Sequence, residues 1–145
     1  MAERSPQTLA NHVRLDPPFH FFVLPVFAIS WIISIVFLVR HPGFLHIWIA
    51  IFNTALIVAV IRFRQYSLRV QDRVIRLEER LRLATLLPQS LRPQIAKLSE
   101  GQLIALRFAS DQEVPALVER TLSANLAPAD IKKAIKSWRP DYWRV

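Results

Sequence analysis

Residues 19–39 read FHFFVLPVFAISWIISIVFLV, and the only ionisable side chain among them is that of His20, near the start. At about 1.5 Å per residue, a helix of this length spans roughly 30 Å, which is the thickness of a bilayer's hydrocarbon core. After a short turn containing Pro-Gly, residues 44–61 read FLHIWIAIFNTALIVAVI, where His46 is the only ionisable residue. Two such runs joined by a tight turn predict a transmembrane helical hairpin over residues 19–61. Two helices buried in a soluble core would give a similar pattern, but rarely ones so long and so aromatic.

The composition excludes several classes of chemistry. The 145 residues are 52% hydrophobic, carry a net charge of +8, and include no cysteine and only two glycines. Without cysteine there is no disulfide framework, zinc–thiolate site or thiol nucleophile. Two isolated glycines cannot form a phosphate-binding loop or a dinucleotide-binding fingerprint.

The arginines predict the orientation of the hairpin. The turn between the two apolar runs carries one arginine, whereas residues 62–82 carry seven against three acidic residues. The positive-inside rule therefore predicts that both termini lie in the cytoplasm and that the turn lies outside. On this prediction the protein is a multi-pass membrane protein with an N-terminal cytoplasmic segment at residues 1–18.

The segment after the second apolar run predicts an amphipathic stalk helix over residues 62–87. Its apolar residues recur mostly three and four positions apart, and glycine and proline are absent until Pro88. We therefore expect one helix from about Phe44 to Leu87, on the order of 65 Å long. Asp72–Arg76 and Glu78–Arg82 have the spacing and order of stabilising pairs on a helix surface.

Residues 88–145 predict a small cytoplasmic helical domain with a short tail, which makes the fold class all-α. Ser99-Glu100-Gly101-Gln102 and Ser110-Asp111-Gln112-Glu113 both have the form of a capping box at a helix N-terminus. Pro128 is suited to the first turn of a last helix, expected over residues 128–138. The domain is small, so the stalk helix or a partner is expected to complete its core.

The histidines are candidate ligands for a tetrapyrrole. All four lie in or beside the membrane segment, and His20 and His46 each lie just inside an apolar run. Hydrogen bonding to lipid phosphate or to backbone is the more ordinary role at such positions. No metal site is expected, because the four histidines divide between the two ends of the hairpin.

The few polar residues inside the apolar runs are expected to pack the helices together. Ser30 and Ser34 lie four residues apart and form a small surface suited to close helix contact, and Asn53 lies near the middle of the second run. An ion pathway is not expected, because no acidic or basic residue lies in the interior of either run.

The charged residues do not predict an active site. Glu78 and Glu79 each have an arginine within helical reach and are interpreted as solvated ion pairs, and no Ser-His-Asp arrangement is credible. We therefore expect neither an enzyme nor a small-molecule substrate. The basic stretch alternates with acids beside a membrane, which favours anionic lipid or a partner subunit over nucleic acid. The predicted lipid or partner interface comprises Arg62, Arg64, Tyr66, Arg69, Trp138, Tyr142 and Trp143.

Several long segments resemble a known family. They are QTLANHVRLDPPFHFFVLP (7–25), RVQDRVIRLEERLRLA (69–84), LIALRFASDQEVPALVERTL (103–122) and DIKKAIKSWRPDYWRV (130–145). Together they resemble a bacterial domain-of-unknown-function family of small two-helix membrane proteins that is frequent in acidobacteria. The resemblance implies a bacterial inner-membrane protein and no particular activity. Some acidobacteria are phototrophic, and their reaction centres contain small helical accessory subunits.

These observations favour a non-enzymatic accessory subunit of a larger integral-membrane complex. A photosynthetic reaction centre is one such complex, by association alone. Lipid is an expected ligand, and the residues themselves predict no cofactor. Only the link to phototrophic acidobacteria would add one, namely chlorophyll or bacteriochlorophyll. The alternatives are a self-assembling homo-oligomeric scaffold and a tether to anionic lipid or to the nucleoid.

Overall fold

The computed structural model describes residues 8–9 and 16–141, which divide into two compact units. The hairpin unit comprises residues 16–69. The C-terminal unit comprises residues 70–141 together with residues 8 and 9. Most of the predicted N-terminal segment 1–18 lies outside the described residues, as do Tyr142 and Trp143.

The hairpin unit contains the two apolar runs as helices. A π-helical turn, Pro18–Val23, leads directly into α1, Leu24–Arg40, and α2 begins at Phe44 and ends at Leu86. Pro25 lies in the first turn of α1, directly after the π-helical turn. Helix α1 ends at Arg40; the N–H of the next residue, His41, still donates to the carbonyl of Phe37, and the Pro-Gly turn follows.

The C-terminal unit packs three short helices against the last turns of α2. These are α3 (Glu100–Leu106), α4 (Val114–Ala124) and α5 (Pro128–Ala134), and a 3-10 turn, Arg92–Lys97, connects α2 to α3. Leu83 of α2 and Leu87, the residue directly after this helix, belong to the core. The helices and the segments that join them supply the other fully buried large apolar side chains, which are Leu103, Leu106, Phe108, Val114, Val118 and Ile131.

The capping prediction at Ser99 is confirmed, and the one at Ser110 is wrong. Ser99 accepts a hydrogen bond from the N–H of Gln102, whose side chain accepts one from the N–H of Ser99. Helix α4 instead begins after Glu113, with no side-chain cap. The Glu113 carboxylate accepts hydrogen bonds from the N–H groups of Lys136 and Ser137, so it binds the C-terminal segment rather than its own helix.

The last helix is shorter than predicted. It ends at Ala134, and Ile135 is extended. The chain then forms an antiparallel bridge between Ala109 and Trp138, closed by hydrogen bonds from Ser110 N–H to Ser137 and from Arg139 N–H to Phe108. These bonds, with the two to Glu113, satisfy backbone groups that a longer helix would have paired internally.

Gly101 allows α3 and α5 to approach closely. A Cβ at this position would lie 2.9 Å from Cγ of Pro128. We expect Gly101→Ala to destabilise the C-terminal unit by about 1 kcal/mol, because overpacking outweighs the better helix propensity of alanine. Hydrogen exchange of the α3 and α5 amides in the detergent-solubilised full chain measures this. Gly43→Ala is the control, since its Cβ would come no closer than 4.0 Å to a neighbour; equal exchange in the two variants would contradict the prediction.

The all-α prediction is confirmed, because the regular elements within residues 8–9 and 16–141 are all helical and only one isolated bridge pairs extended residues. Pro18–Arg40 and Phe44–Leu86 are both long and apolar enough to cross a membrane. Only 6% of each apolar window is buried. Helices in the core of a soluble protein would be mostly buried, so this exposure favours contact with lipid or with another apolar surface.

Candidate functional site

Two side-chain hydrogen bonds join α1 to α2 in the middle of the hairpin unit. The Ser30 hydroxyl donates to Oδ1 of Asn53 over 3.1 Å, and the indole N–H of Trp31 donates to Oγ1 of Thr54 over 2.9 Å. In an apolar environment an unpaired polar group costs several kcal/mol, so such pairs fix which residues of the two helices lie side by side. The Trp31–Thr54 pair has no counterpart in the sequence predictions.

Ser34 is buried but does not bond to the second helix. Its hydroxyl donates to the carbonyl of Trp31, one turn earlier in α1. A small side chain that satisfies its own hydroxyl in this way leaves room for close approach of another helix backbone.

The histidines occupy two separate places in the hairpin unit. His20 Nδ1 lies 2.8 Å from the carbonyl oxygen of Asp16. His41 and His46 lie on either side of the turn with their ring centroids 6.3 Å apart, and the ring of His46 stacks on Phe37 at 6.2 Å. The structure therefore brings His41 and His46 together and places His20 elsewhere. Among the described residues no three His, Asp or Glu side chains are placed to share a metal ion.

Of the predicted interface residues that follow the second apolar run, one forms an ion pair within the hairpin unit and three are exposed. Arg64 pairs with Asp16 at 3.5 Å, and its guanidinium lies 5.5 Å from the ring centre of Phe19. Arg62, Tyr66 and Arg69 are exposed. Arg64 thus links α2 to the segment before α1, while the other three remain accessible to headgroups or to a partner.

Trp138 is half-buried and packs against the core of the C-terminal unit. Its ring lies 5.1 Å from that of Phe108, and it packs against the buried cluster. Only part of its side chain is available to a partner. Tyr142 and Trp143, the other two aromatic residues of the predicted interface, lie outside the described residues.

A cleft of about 620 Å³, lined by charged and apolar side chains, lies in the C-terminal unit along α2. Its charged lining comes from α2, from the end of α3 and from the C-terminal segment, and comprises Glu78, Glu79, Arg82, Arg107, Arg139 and Asp141. Nε of Arg107 lies 3.3 Å from Oδ2 of Asp141, and the same guanidinium lies 4.4 Å from the ring centre of Phe108. The cleft therefore contains paired charges of both signs.

Arg82 holds three stretches of the C-terminal unit together. Its guanidinium donates to Glu79 at 3.1 Å, to Asp111 at 2.6 Å and to the carbonyl of Ala109 at 2.7 Å. The predicted pair between Glu78 and Arg82 is wrong, because the Arg82 side chain turns toward the packed face of α2. Arg76 likewise pairs with Glu100 of α3, and its Nε donates to the carbonyl rather than the carboxylate of Asp72.

Glu79 is buried, with only 3% of its surface exposed. The prediction that it forms a solvated ion pair is therefore wrong. Burial raises the pKa of the Glu79 carboxyl above the usual 4.5, and the charge and hydrogen bonds of Arg82 oppose this shift. Burial of a carboxylate beside its arginine is costly on its own, so the pair depends on the hydrogen bonds that complete it.

The charged residues around the cleft hold the fold together. Arg82 connects α2 to the α3–α4 connection, and Arg107 connects the end of α3 to the C-terminal segment. Sequence reasoning missed this arrangement, since Arg107 and Asp141 lie far apart in the chain. The one local signal was the pair of adjacent residues Glu78 and Glu79. Adjacent residues point to different faces of a helix, so at most one of them can face the core.

The comparisons with known proteins identify a family. A family model described as a family of unknown function, DUF6526, matches residues 1–145. The chain belongs to the DUF6526 family. This confirms the resemblance to an uncharacterised family. No curated protein and no solved structure matches this DUF6526 chain.

The raised pKa of Glu79 predicts a pH-dependent stability for this DUF6526 protein. A carboxyl whose folded pKa is raised contributes stability that is fully present below its unfolded pKa, near 4.5, and lost as the pH rises through the folded pKa. We therefore expect the wild type to lose stability relative to Glu79→Gln as the pH rises above about 4.5. The ratio of core-amide exchange rates in the two proteins measures this, because intrinsic pH effects cancel. A ratio that is constant with pH would contradict it.

Proposed function

We propose that this protein is a non-enzymatic structural subunit of a larger bacterial membrane complex, held in the membrane by its helical hairpin. The observation that carries the proposal is the pairing of two long apolar helices, in each of which only 6% of the apolar window is buried, with a C-terminal unit that has its own packed core. An exposed apolar surface of this size needs lipid, partner helices or both.

In this proposal the hairpin crosses the bacterial inner membrane twice, and the C-terminal unit lies in the cytoplasm. The arginine asymmetry supports that orientation, since Arg62 and Arg69 are exposed directly after the second apolar run. Their guanidinium groups are suited to lipid phosphates at the cytoplasmic surface. Tyr66, exposed between them, is suited to the headgroup region.

The partner surface includes helix faces within the membrane. Phe21, Phe22 and Trp48 are large and exposed, and aromatic side chains of this kind contribute strongly to protein interfaces. The hydrogen bonds at Ser30 and Trp31 fix α1 against α2, so the hairpin presents a defined surface to a partner. A defined surface lowers the entropy cost of association.

Purification from native membranes tests this proposal. The chain is extracted with a mild detergent through a tag after Val145, and its companions are quantified by mass spectrometry. We expect large integral-membrane subunits at a fixed stoichiometry. A peripheral single-helix protein carrying the same tag is the control for non-specific capture. Recovery of this chain alone, as a discrete oligomer, would contradict the proposal.

An absorption spectrum of the same preparation tests the more specific proposal of a photosynthetic reaction centre. If a tetrapyrrole is held by His20 or His46, pigment bands co-purify and are lost in His20→Ala or His46→Ala. Stoichiometric partners without pigment bands would leave the structural-subunit proposal supported and contradict the photosynthetic one.

A second candidate function, a self-assembling scaffold, is favoured by one observation. In the C-terminal unit the face of α2 opposite the core is apolar and exposed, and it contains Val70, Val74, Leu77 and Leu81. A monomeric stalk would be expected to present charged residues there.

A further inference from the structure

Helix α2 carries two apolar stripes within the C-terminal unit. One stripe, containing Ile75 and Leu83, is buried. The other contains Val70, Val74, Leu77 and Leu81, which are 49% to 63% exposed. At about 100° per residue the centres of the two stripes lie roughly 180° apart around the helix. The exposed stripe, here called the α2 seam, therefore contributes nothing to the core of its own unit.

The spacing of the α2 seam is that of a coiled coil. Its residues follow one another at intervals of four, three and four, which alternate the d and a positions of a heptad. Val70 and Leu77 then occupy d positions, and Val74 and Leu81 occupy a positions. The central pair, Val74 at a and Leu77 at d, has the combination that favours two strands in a parallel arrangement.

The charged residues beside the α2 seam favour a second copy of this chain as the partner and a parallel orientation of the two helices. Arg73 occupies the g position and Glu78 the following e position, and both are exposed. In a parallel, in-register pair of identical helices, the g residue of one chain meets the next e residue of the other, so Arg73 faces Glu78 twice. An antiparallel pair would place arginine against arginine and glutamate against glutamate instead.

We propose that the α2 seam binds the α2 seam of a second copy of this chain, as a parallel two-stranded coiled coil over residues 70–84. The helix is already formed by packing against its own core, so little ordering is required on association. Two copies inserted in one membrane in the same orientation also meet at a raised effective concentration. The inference deepens the second candidate function and rests on the same exposed stripe, but it does not require a larger complex to be present.

Disulfide crosslinking of single-cysteine variants tests the α2 seam, since the natural chain contains no cysteine. Leu77→Cys places a thiol at a d position, and Ala124→Cys places one at the exposed end of α4, away from the seam. We expect mild oxidation of membranes containing the full chain to yield linked dimers for Leu77→Cys and essentially none for Ala124→Cys. Equal crosslinking of the two variants, or none at Leu77, would overturn the proposal.

A charge reversal in the Leu77→Cys background tests the register. Arg73→Glu places a carboxylate opposite the carboxylate of Glu78, and we expect about tenfold weaker dimerisation, because two attractive pairs become repulsive. Adding Glu78→Arg restores opposite charges and should restore crosslinking to near the starting level. Crosslinking that Arg73→Glu leaves unchanged, or that the double reversal does not restore, would overturn the parallel, in-register arrangement.

Discussion

Replacing Arg82 by methionine is expected to destabilise the C-terminal unit by about 3–5 kcal/mol, the usual cost of removing one partner from a buried ion pair. The Arg82 side chain is largely buried and pairs with the almost fully buried Glu79. Methionine keeps most of the apolar stem but leaves Glu79 either charged without a partner or protonated. The carbonyl of Ala109 also loses its donor.

Hydrogen exchange in the detergent-solubilised full chain measures this loss. The core amides of α3 and α4 are expected to exchange about two to three and a half orders of magnitude faster. Arg80→Met is the matched control, because Arg80 is exposed on the same helix, and surface substitutions usually change stability by less than about 0.5 kcal/mol.

The double variant Arg82→Met, Glu79→Met shows whether the loss of stability comes from the unpaired Glu79 or from the lost hydrogen bonds of Arg82. If the unpaired Glu79 is responsible, removing its charge should recover most of the stability, as replacement of a whole buried ion pair by apolar residues often does. If the double variant is no more stable than Arg82→Met alone, the loss comes from the bonds of Arg82 to Ala109 and Asp111. That result would contradict the assigned role of Glu79.

Replacing Leu83 by alanine is expected to cost about 2–5 kcal/mol. Leu83 is completely buried in the C-terminal unit, where the side chains of α2 meet those of α3 and α4. The loss combines the transfer free energy of the removed atoms with the cost of the cavity they leave. The exchange rates of the α3 and α4 amides report it.

Leu81→Ala is the matched control for Leu83→Ala. It makes the same chemical change two residues earlier, on a side chain that is 62% exposed. Because Leu81 belongs to the α2 seam, the comparison is made at a chain concentration at which the detergent-solubilised protein sediments as a monomer, and there we expect its effect to stay below about 0.5 kcal/mol. Equal losses for the two leucines would contradict the assignment of one stripe of α2 to the core and the other to the surface.

The apolar runs and the local helix signals of the sequence predict the helices well. The two apolar runs appear as α1 and as the first part of α2, and α2 continues unbroken to Leu86. The Ser99 cap is also predictable, because a capping box depends only on residues three positions apart. Each of these features rests on local geometry.

Features that depend on distant residues are not predictable in this way. Glu113 has the position of a capping-box residue, but its carboxylate binds the N–H groups of Lys136 and Ser137, more than twenty residues away. Those same bonds end α5 early and leave Trp138 in a bridge with Ala109. Local propensity alone cannot reveal a competing partner of this kind.

The two stripes of α2 show a different limit of sequence reasoning. The apolar residues between 68 and 87 form one amphipathic pattern in the sequence, whereas Ile75 and Leu83 lie in the core and Leu77 and Leu81 are exposed on the other side. A helix that is apolar on two faces has two surfaces to cover. Only the position of the core shows which face remains available.

In the proposed topology the two apolar helices cross the membrane as a hairpin and leave the C-terminal unit in the cytoplasm. Labelling of single-cysteine variants with a membrane-impermeant maleimide distinguishes this topology from the others. In right-side-out spheroplasts, we predict that Pro42→Cys, in the turn, reacts at once and that Ala124→Cys reacts only after the membrane is permeabilised. Reaction of Ala124→Cys in intact spheroplasts, or protection of Pro42→Cys until permeabilisation, would contradict the account.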